Sequence, residues 1–100
     1  MKKSMAFIFD EFDALVAEVT YGVVGFSYDA FSGYHYTTTM NDEEWDEWLE
    51  NHDEEAEKEV RKYWGEEDEF VIAMIGKKFG MTVEHIIVDY FKDMVAVIFE

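Results

Sequence analysis

The chain has 100 residues, of which 49% are hydrophobic and 18% aromatic, and it carries a formal net charge of −16. The length indicates a single domain over 1–100, and the many rings argue against an acidic disordered chain, which lacks the apolar residues that build a core. The charge argues against direct nucleic-acid binding, because phosphates would repel the chain. The sequence contains no cysteine, so no disulfide or thiolate chemistry is available.

The first residues, MKKSMAFIF, do not extend into an export signal or a membrane span. Asp10, Glu11 and Asp13 interrupt the apolar run well short of the ~18 residues that a membrane span needs. We therefore expect a soluble cytoplasmic protein without membrane contact.

The N-terminal third predicts a helix followed by a hairpin. Apolar residues from Met5 to Val19 recur at helical spacing behind Ser4 as N-cap, which predicts a helix over about 5–18. A strand over AFIF is the alternative. The β-branched and aromatic residues of about 20–39, divided by the turn-rich DAFS, predict an antiparallel hairpin.

The middle of the chain predicts two helices. Asn41 supplies an N-cap for a helix over about 42–64, with Gly65 as its terminator. The residues expected on its inward stripe are Trp45, Trp48, Leu49, His52, Ala56, Val60, Tyr63 and Trp64. A second helix over about 67–79 starts with acids and ends with Lys77 and Lys78, as the helix dipole favours.

The last part predicts a helix over about 82–92 and a strand over 94–99. The β-branched residues of 83–91 keep a strand possible there. We expect the C-terminal strand to join the hairpin in one small antiparallel sheet packed against the four helices. The predicted class is therefore α+β.

The segment IGKKFGMTVEHII, residues 75–87, resembles a bacterial repressor-type helix-turn-helix. Its second helix would present Glu84 and Asp89 to DNA without any arginine, whereas base readout favours Arg, Lys, Asn or Gln. We expect the shape to serve packing or protein contact, and a degenerate DNA-binding regulator stays a third hypothesis.

The segment 42–69 concentrates the charge, with 15 acids against 3 bases. If 42–59 is one helix, its eleven acids span about 27 Å, or roughly one charge per 2.5 Å, which is close to the ~1.7 Å of a DNA duplex. We predict that its carboxylates bind the basic groove of a partner. The predicted contact residues are Asp42, Glu43, Glu44, Asp46, Glu47, Glu50, Asp53, Glu54, Glu57, Glu66, Glu67, Asp68 and Glu69.

In size, charge, lack of cysteine and the helix DEEWDEWLENHDEEAEKE, the chain resembles the small acidic DNA-mimic proteins of phages and mobile elements. That resemblance implies an anti-restriction or anti-CRISPR inhibitor, or a blocker of another DNA-binding protein, that occupies its target's DNA site. It rests on composition and carries no residue by alignment.

No catalytic, metal-binding or cofactor-binding pattern stands out. The acids do not form a calcium loop, His52 has no second histidine spaced to join it, and no serine has a visible base partner. We expect neither an enzyme nor a cofactor. The alternative function is an assembly module, with a homodimer formed through the aromatic residues of the hairpin, which are Tyr21, Phe26, Tyr28, Phe31, Tyr34 and Tyr36.

Overall fold

The computed structural model describes residues 2–38, 40–62 and 67–100, and the side chains of all of these except 59, 61, 62, 67, 68 and 70. Within them the chain forms, in order, β1 Lys3–Ile8, α1 Phe9–Val19, β2 Val24–Asp29, β3 Gly33–Thr38, α2 Asp42–Asn51, α3 Glu54–Lys62, α4 Glu67–Phe79, β4 Val83–Asp89 and β5 Met94–Phe99. This combination of helices and antiparallel strands confirms the α+β class. None of the helices in these ranges is both long and apolar enough to cross a membrane.

The described strands form two antiparallel sheets instead of the single predicted one. β5 is the central strand of the first, between β1 and β4, and β2 pairs with β3 in the second. The prediction that the strand over 94–99 joins the hairpin is therefore wrong. The short turn after β4 brings that strand beside β5, and β1 occupies the other edge of β5. The hairpin itself is confirmed, although Thr39 lies outside the described residues.

The helix predicted over about 5–18 is in fact a strand followed by a helix. Met5 and Phe7 pack against the core while Ala6 and Ile8 are exposed, which is the alternation of a strand. The strand alternative for AFIF is therefore right as far as Ile8. α1 begins at Phe9, where the Glu11 carboxylate accepts a hydrogen bond from the Ile8 N–H at 3.4 Å.

The helix predicted over about 82–92 is the strand β4, so the strand alternative for 83–91 is right as far as Asp89. The helix-turn-helix interpretation of 75–87 is therefore wrong. α4 ends at a left-handed Gly80, and the Met81 N–H donates to the Gly76 carbonyl at 3.0 Å in a Schellman-type cap. A β-bulge lies between Val83 and His85. The bulge places Val83 and Ile86, three positions apart, on the same face, and this imitates helical spacing.

The main core lies between α1, α4 and the inner face of the three-stranded sheet. Its completely buried side chains include Phe12, Val16, Val71, Ile75, Val95, Val97 and Phe99. β2 packs on α1, with the Phe26 ring edge-on to Phe12 at 5.0 Å and the Phe26 N–H donating to Asp13 Oδ1 at 2.8 Å. These contacts join the hairpin to the rest of the main core.

A second, smaller hydrophobic cluster holds the acidic helices α2 and α3. Its buried side chains are Val23, Trp48 and Val60, with Trp45, Leu49 and Ala56 partly buried against them. The predicted inward stripe is therefore confirmed for these five residues of α2 and α3. Tyr63 and Trp64, at the end of the helix predicted over 42–64, lie outside the described residues.

Candidate functional site

The first turn of α2 is fixed by a capping box. The Asn41 side chain accepts a hydrogen bond from the Glu44 N–H at 2.9 Å, and Glu44 Oε1 accepts one from the Asn41 N–H at 3.2 Å. Asp42 and Glu43 add two carboxylates beside the positive end of the helix dipole, where negative charge is stabilising. The most acidic part of the chain thus begins at a helix end that favours acids.

Stacked rings attach α2 to the body of the protein. The Trp45 and Trp48 rings are nearly parallel, with centroids 5.2 Å apart and planes at 7°, and the His52 ring stacks on Trp48 at 4.1 Å and 13°. Their spacing of three and four residues places all three rings on one face of the helix. Trp48 is 5% exposed, so this face carries most of the apolar burial of α2.

Tyr21, in the turn after α1, contacts the stacked rings of Trp48 and His52. The Trp48 Nε1–H donates to the Tyr21 carbonyl at 3.0 Å, and the Tyr21 ring lies tilted against Trp48 and edge-on to His52. The carbonyl belongs to a tight turn after α1, in which Tyr21 and Gly22 both have positive φ angles of 58° and 80°. Burying an indole N–H without a hydrogen-bond partner costs free energy. The hydrogen bond to Tyr21 therefore favours this position of α2 on the protein.

The continuous helix predicted over 42–64 is broken at His52 and Asp53. The His52 ring, through Nδ1, donates to the Trp48 carbonyl at 2.8 Å, and the Asn51 amide donates to the Glu47 carbonyl at 2.9 Å, so side chains satisfy the last carbonyls of α2. Asp53 then begins α3 as its N-cap, with Oδ1 accepting from the Ala56 N–H at 2.9 Å. The acids therefore lie on two short helices and not on one rod.

Most of the predicted contact carboxylates are exposed, as a phosphate-like surface requires. The exposed members are Asp42, Glu43, Glu44, Asp46, Glu47, Glu50, Asp53, Glu54 and Glu69. Glu57 is half-buried. Glu66 lies outside the described residues, and Glu67 and Asp68 are placed only as backbone in the first turn of α4. Glu44 and Asp53 also act as caps, which leaves fewer carboxylates free to bind.

The charge of α2 is not neutralised by neighbouring cations among the described side chains. Asp42, Glu43, Asp46, Glu47, Glu50 and Glu54 make no ion pair with any side chain that the structure describes. The ion pairs Lys2–Glu84 and Lys78–Glu18 both lie elsewhere. All three bases of the acidic segment follow Glu57 in the sequence, at Lys58, Arg61 and Lys62. Among the side chains that the structure describes, the acids are thus most concentrated on α2 and the first turn of α3.

The described residues do not form a metal site of three or more His, Asp or Glu side chains. A shallow depression of about 350 Å³ lies at the break between the two helices, lined by Tyr21, Asn51, His52, Asp53, Glu55 and Ala56. Its polar groups Asn51, His52 and Asp53 are already used in capping hydrogen bonds. The depression therefore lies among groups that already serve the two helix ends.

Comparison with protein-family models, with curated proteins and with solved structures finds no match to this chain.

The structure also adds residues that the sequence pattern missed. Tyr21 and Asn51 hold α2 in place, and the consecutive capping residues Asn51, His52 and Asp53 were a visible signal for the break. The aromatic hairpin is divided: Phe26 and Tyr36 belong to the core, whereas Tyr28 and Phe31 are exposed. Only part of the surface expected for a homodimer is therefore available to a partner.

Proposed function

We propose that the chain is a non-enzymatic inhibitor that occupies the phosphate-binding groove of a nucleic-acid-binding protein with the carboxylates of α2 and the first turn of α3. The observation that supports this most is the ring stack of Trp45, Trp48 and His52, which holds one face of α2 against the protein. The opposite face carries acids and no base, so a fixed anionic surface faces solvent.

The charge density of α2 matches that of a nucleic-acid backbone. Six of its ten residues are acidic, and ten residues span about 15 Å, or about one charge per 2.5 Å. A DNA duplex carries one charge per ~1.7 Å over both strands and one per ~3.4 Å on each strand. A groove that is lined with Lys and Arg for phosphates therefore meets a comparable linear density of carboxylates.

Holding these charges in place supports binding in two ways. Like charges three and four residues apart cost a few tenths of a kcal/mol per pair, and the caps and rings offset that cost before a partner arrives. A preformed surface then loses little conformational freedom on association. Electrostatic steering speeds the encounter, and salt weakens it.

Competition for DNA tests the proposal with two probes: a basic nucleoid-type protein on a fluorescent duplex, and an OB-fold single-strand-binding protein on a fluorescent oligo-dT. We expect the chain to displace DNA from at least one of them. The variant Glu47→Lys, Glu50→Lys, Glu54→Lys removes three exposed acids of the surface and should weaken competition about a hundredfold or more at low salt.

The control is Glu18→Lys, Glu84→Lys, Glu100→Lys, which changes the net charge equally at exposed positions outside the acidic helices. Because Glu84 and Glu18 form ion pairs with Lys2 and Lys78, circular dichroism first checks that this variant keeps its fold. We expect it to compete within a few-fold of the unmodified chain. Equal loss in both variants would show that net charge acts without any particular surface. If the unmodified chain displaces neither DNA probe, the proposal is rejected.

A further inference from the structure

A second surface lies at the turn between β2 and β3, residues 29–33, called turn 1. Asp29 Oδ1 accepts hydrogen bonds from the Phe31 and Ser32 N–H groups, both at 2.8 Å, and the Ser32 hydroxyl donates to the same carboxylate. These bonds, the Ser32 hydroxyl first, lower the pKa of Asp29. Gly33 closes the turn with a φ of 78°. The turn is therefore tied internally while its phenyl ring points outward.

The turn between β4 and β5, residues 89–93, called turn 2, repeats this construction. Asp89 Oδ1 accepts hydrogen bonds from the Phe91 and Lys92 N–H groups at 3.1 and 3.2 Å. Asp93 takes the place of the glycine, with a φ of 51°. In both turns an aspartate holds the backbone so that a phenylalanine stands two positions later.

The two turns are held side by side by a tyrosine from each hairpin. The rings of Tyr28 and Tyr90 are stacked, with centroids 4.4 Å apart and planes at 21°. Beyond them Phe31 and Phe91 are 103% and 100% exposed, so neither ring has any cover from the protein. Large apolar side chains that are fully exposed on a rigid support are typical of interaction sites.

The charges around the turns restrict the partner. Asp10, Asp13 and Asp93 line a groove of about 700 Å³ beside Tyr28 and Lys92. An anionic membrane would repel such a chain, which carries −16 overall. A second copy carries the same charge, and two phenyl rings supply about 400 Å², half of the ~800 Å² per partner of a standard interface. Apolar pockets inside a basic groove fit the surface best.

We infer that Phe31 and Phe91 enter the base-stacking platforms of a protein that binds single-stranded nucleic acid. Such proteins combine a basic groove for the backbone with aromatic side chains on which successive bases stack. In this arrangement the acidic helices replace phosphates and the two phenyl rings replace unstacked bases. The inference rests on the proposed function and narrows its partner class.

The length of β2 sets the scale of the separation between the second cluster and turn 1. β2 runs from Val24, next to the second cluster, to Asp29 in turn 1, which is six residues or about 20 Å. At ~3.4 Å per stacked nucleotide that length corresponds to about six nucleotides. Single-strand-binding domains of the OB fold cover roughly 4–16 nucleotides, and the length of β2 falls within that range.

Competition against the OB-fold protein on oligo-dT tests the inference directly. Phe31→Ala and Phe91→Ala should each weaken competition between about fivefold and about a hundredfold, the range of stacking one base on an aromatic side chain. The loss should be the same at low and high salt and should appear as faster dissociation, because the rings carry no charge. Ile87→Ala, which shortens an exposed apolar side chain outside the two turns, should leave competition unchanged.

The double variant Phe31→Leu, Phe91→Leu keeps apolar volume and removes the flat rings, and it should lose nearly as much as the double alanine variant. Full activity of the leucine variant would overturn the inference in favour of an ordinary apolar pocket. Alanine variants that compete like the unmodified chain would also overturn the inference. So would light scattering that finds the unmodified chain to be a dimer and the alanine variants to be monomers.

Failure of this inference is distinguishable from failure of the proposed function. A chain that displaces duplex DNA from the nucleoid-type protein but not oligo-dT from the OB-fold protein overturns the inference, while the acid-reversal variants still test the mimicry. If reversing Glu47, Glu50 and Glu54 has no effect on either protein, the proposed function itself fails.

Discussion

The main core and the acidic helices are stabilised in different ways. The core buries side chains from both helices α1 and α4 and from both sheets, including several that are completely inaccessible. The acidic helices depend on Val23, Trp48 and Val60, one indole hydrogen bond and side-chain caps. The most charged part of the chain thus has the smallest apolar support.

This difference suggests why the acids are concentrated in one place. Repulsion between carboxylates destabilises the element that carries them, and an element with its own small cluster can open without unfolding the main core. A surface that binds a basic partner can then carry many charges without lowering the stability of the main core. The stability of α2 and the stability of the whole domain become two separate quantities.

Two substitutions, one in the main core and one in the second cluster, distinguish the stability of the whole domain from that of α2. Phe12→Ala removes a completely buried ring from the main core and should lower the free energy of global unfolding by about 3–5 kcal/mol. Trp48→Ala should release α2 and α3 while the main core keeps most of its stability. Urea denaturation followed by circular dichroism measures both, and equal global losses for the two variants would contradict the comparison.

A smaller effect concerns the end of α4, which joins the main core to β4. A Cβ atom added at Gly76 would lie 2.6 Å from the Met81 carbonyl oxygen, so backbone must shift to accept it. Gly76→Ala should therefore lower the free energy of unfolding in urea by about 1–3 kcal/mol, although alanine has the higher helix propensity. The exposed Ala73→Ser on the same helix is the control and should change stability by only a few tenths of a kcal/mol.

The smallest effect concerns pH and turn 1. Hydrogen bonds lower the pKa of Asp29 in the folded protein, so its ionised carboxylate stabilises the fold at neutral pH. This contribution is lost as the pH falls through the pKa that Asp29 has in the folded state. Asp29→Asn should therefore show a slightly lower melting temperature at pH 7 and a smaller difference in acid. A difference in melting temperature between Asp29→Asn and the unmodified chain that grows in acid would contradict this role of Asp29.

Much of the fold could be predicted because its signals are local. The hairpin followed from β-branched residues around a turn, and the helix over 67–79 and the strand over 94–99 have the predicted bounds. β1 and β4 were misassigned because tertiary pairing with β5 decides them, and the bulge in β4 imitates a helical period. Separation into two sheets likewise depends on contacts between distant residues.

The exposure of most of the acids and the inward position of Trp45 and Trp48 could be predicted from spacing along a helix. The break at Asn51, His52 and Asp53 was missed although these capping residues signal it, because the apolar stripe continues past it to Ala56 and Val60. The pairing of turns 1 and 2 was also hidden, because Tyr28 and Tyr90 come from different sheets. Local periodicity does not carry such information.

Amide hydrogen exchange of the unmodified chain near pH 7 tests most directly whether the acidic surface is held in place. We predict slowed exchange for the amides of 46–51, which are bonded within α2, with protection weaker than that of α1 and α4 but clearly present. Exchange of these amides at the rate of an unstructured peptide would mean that the rings do not hold the helix, and the carboxylates would then form no fixed surface.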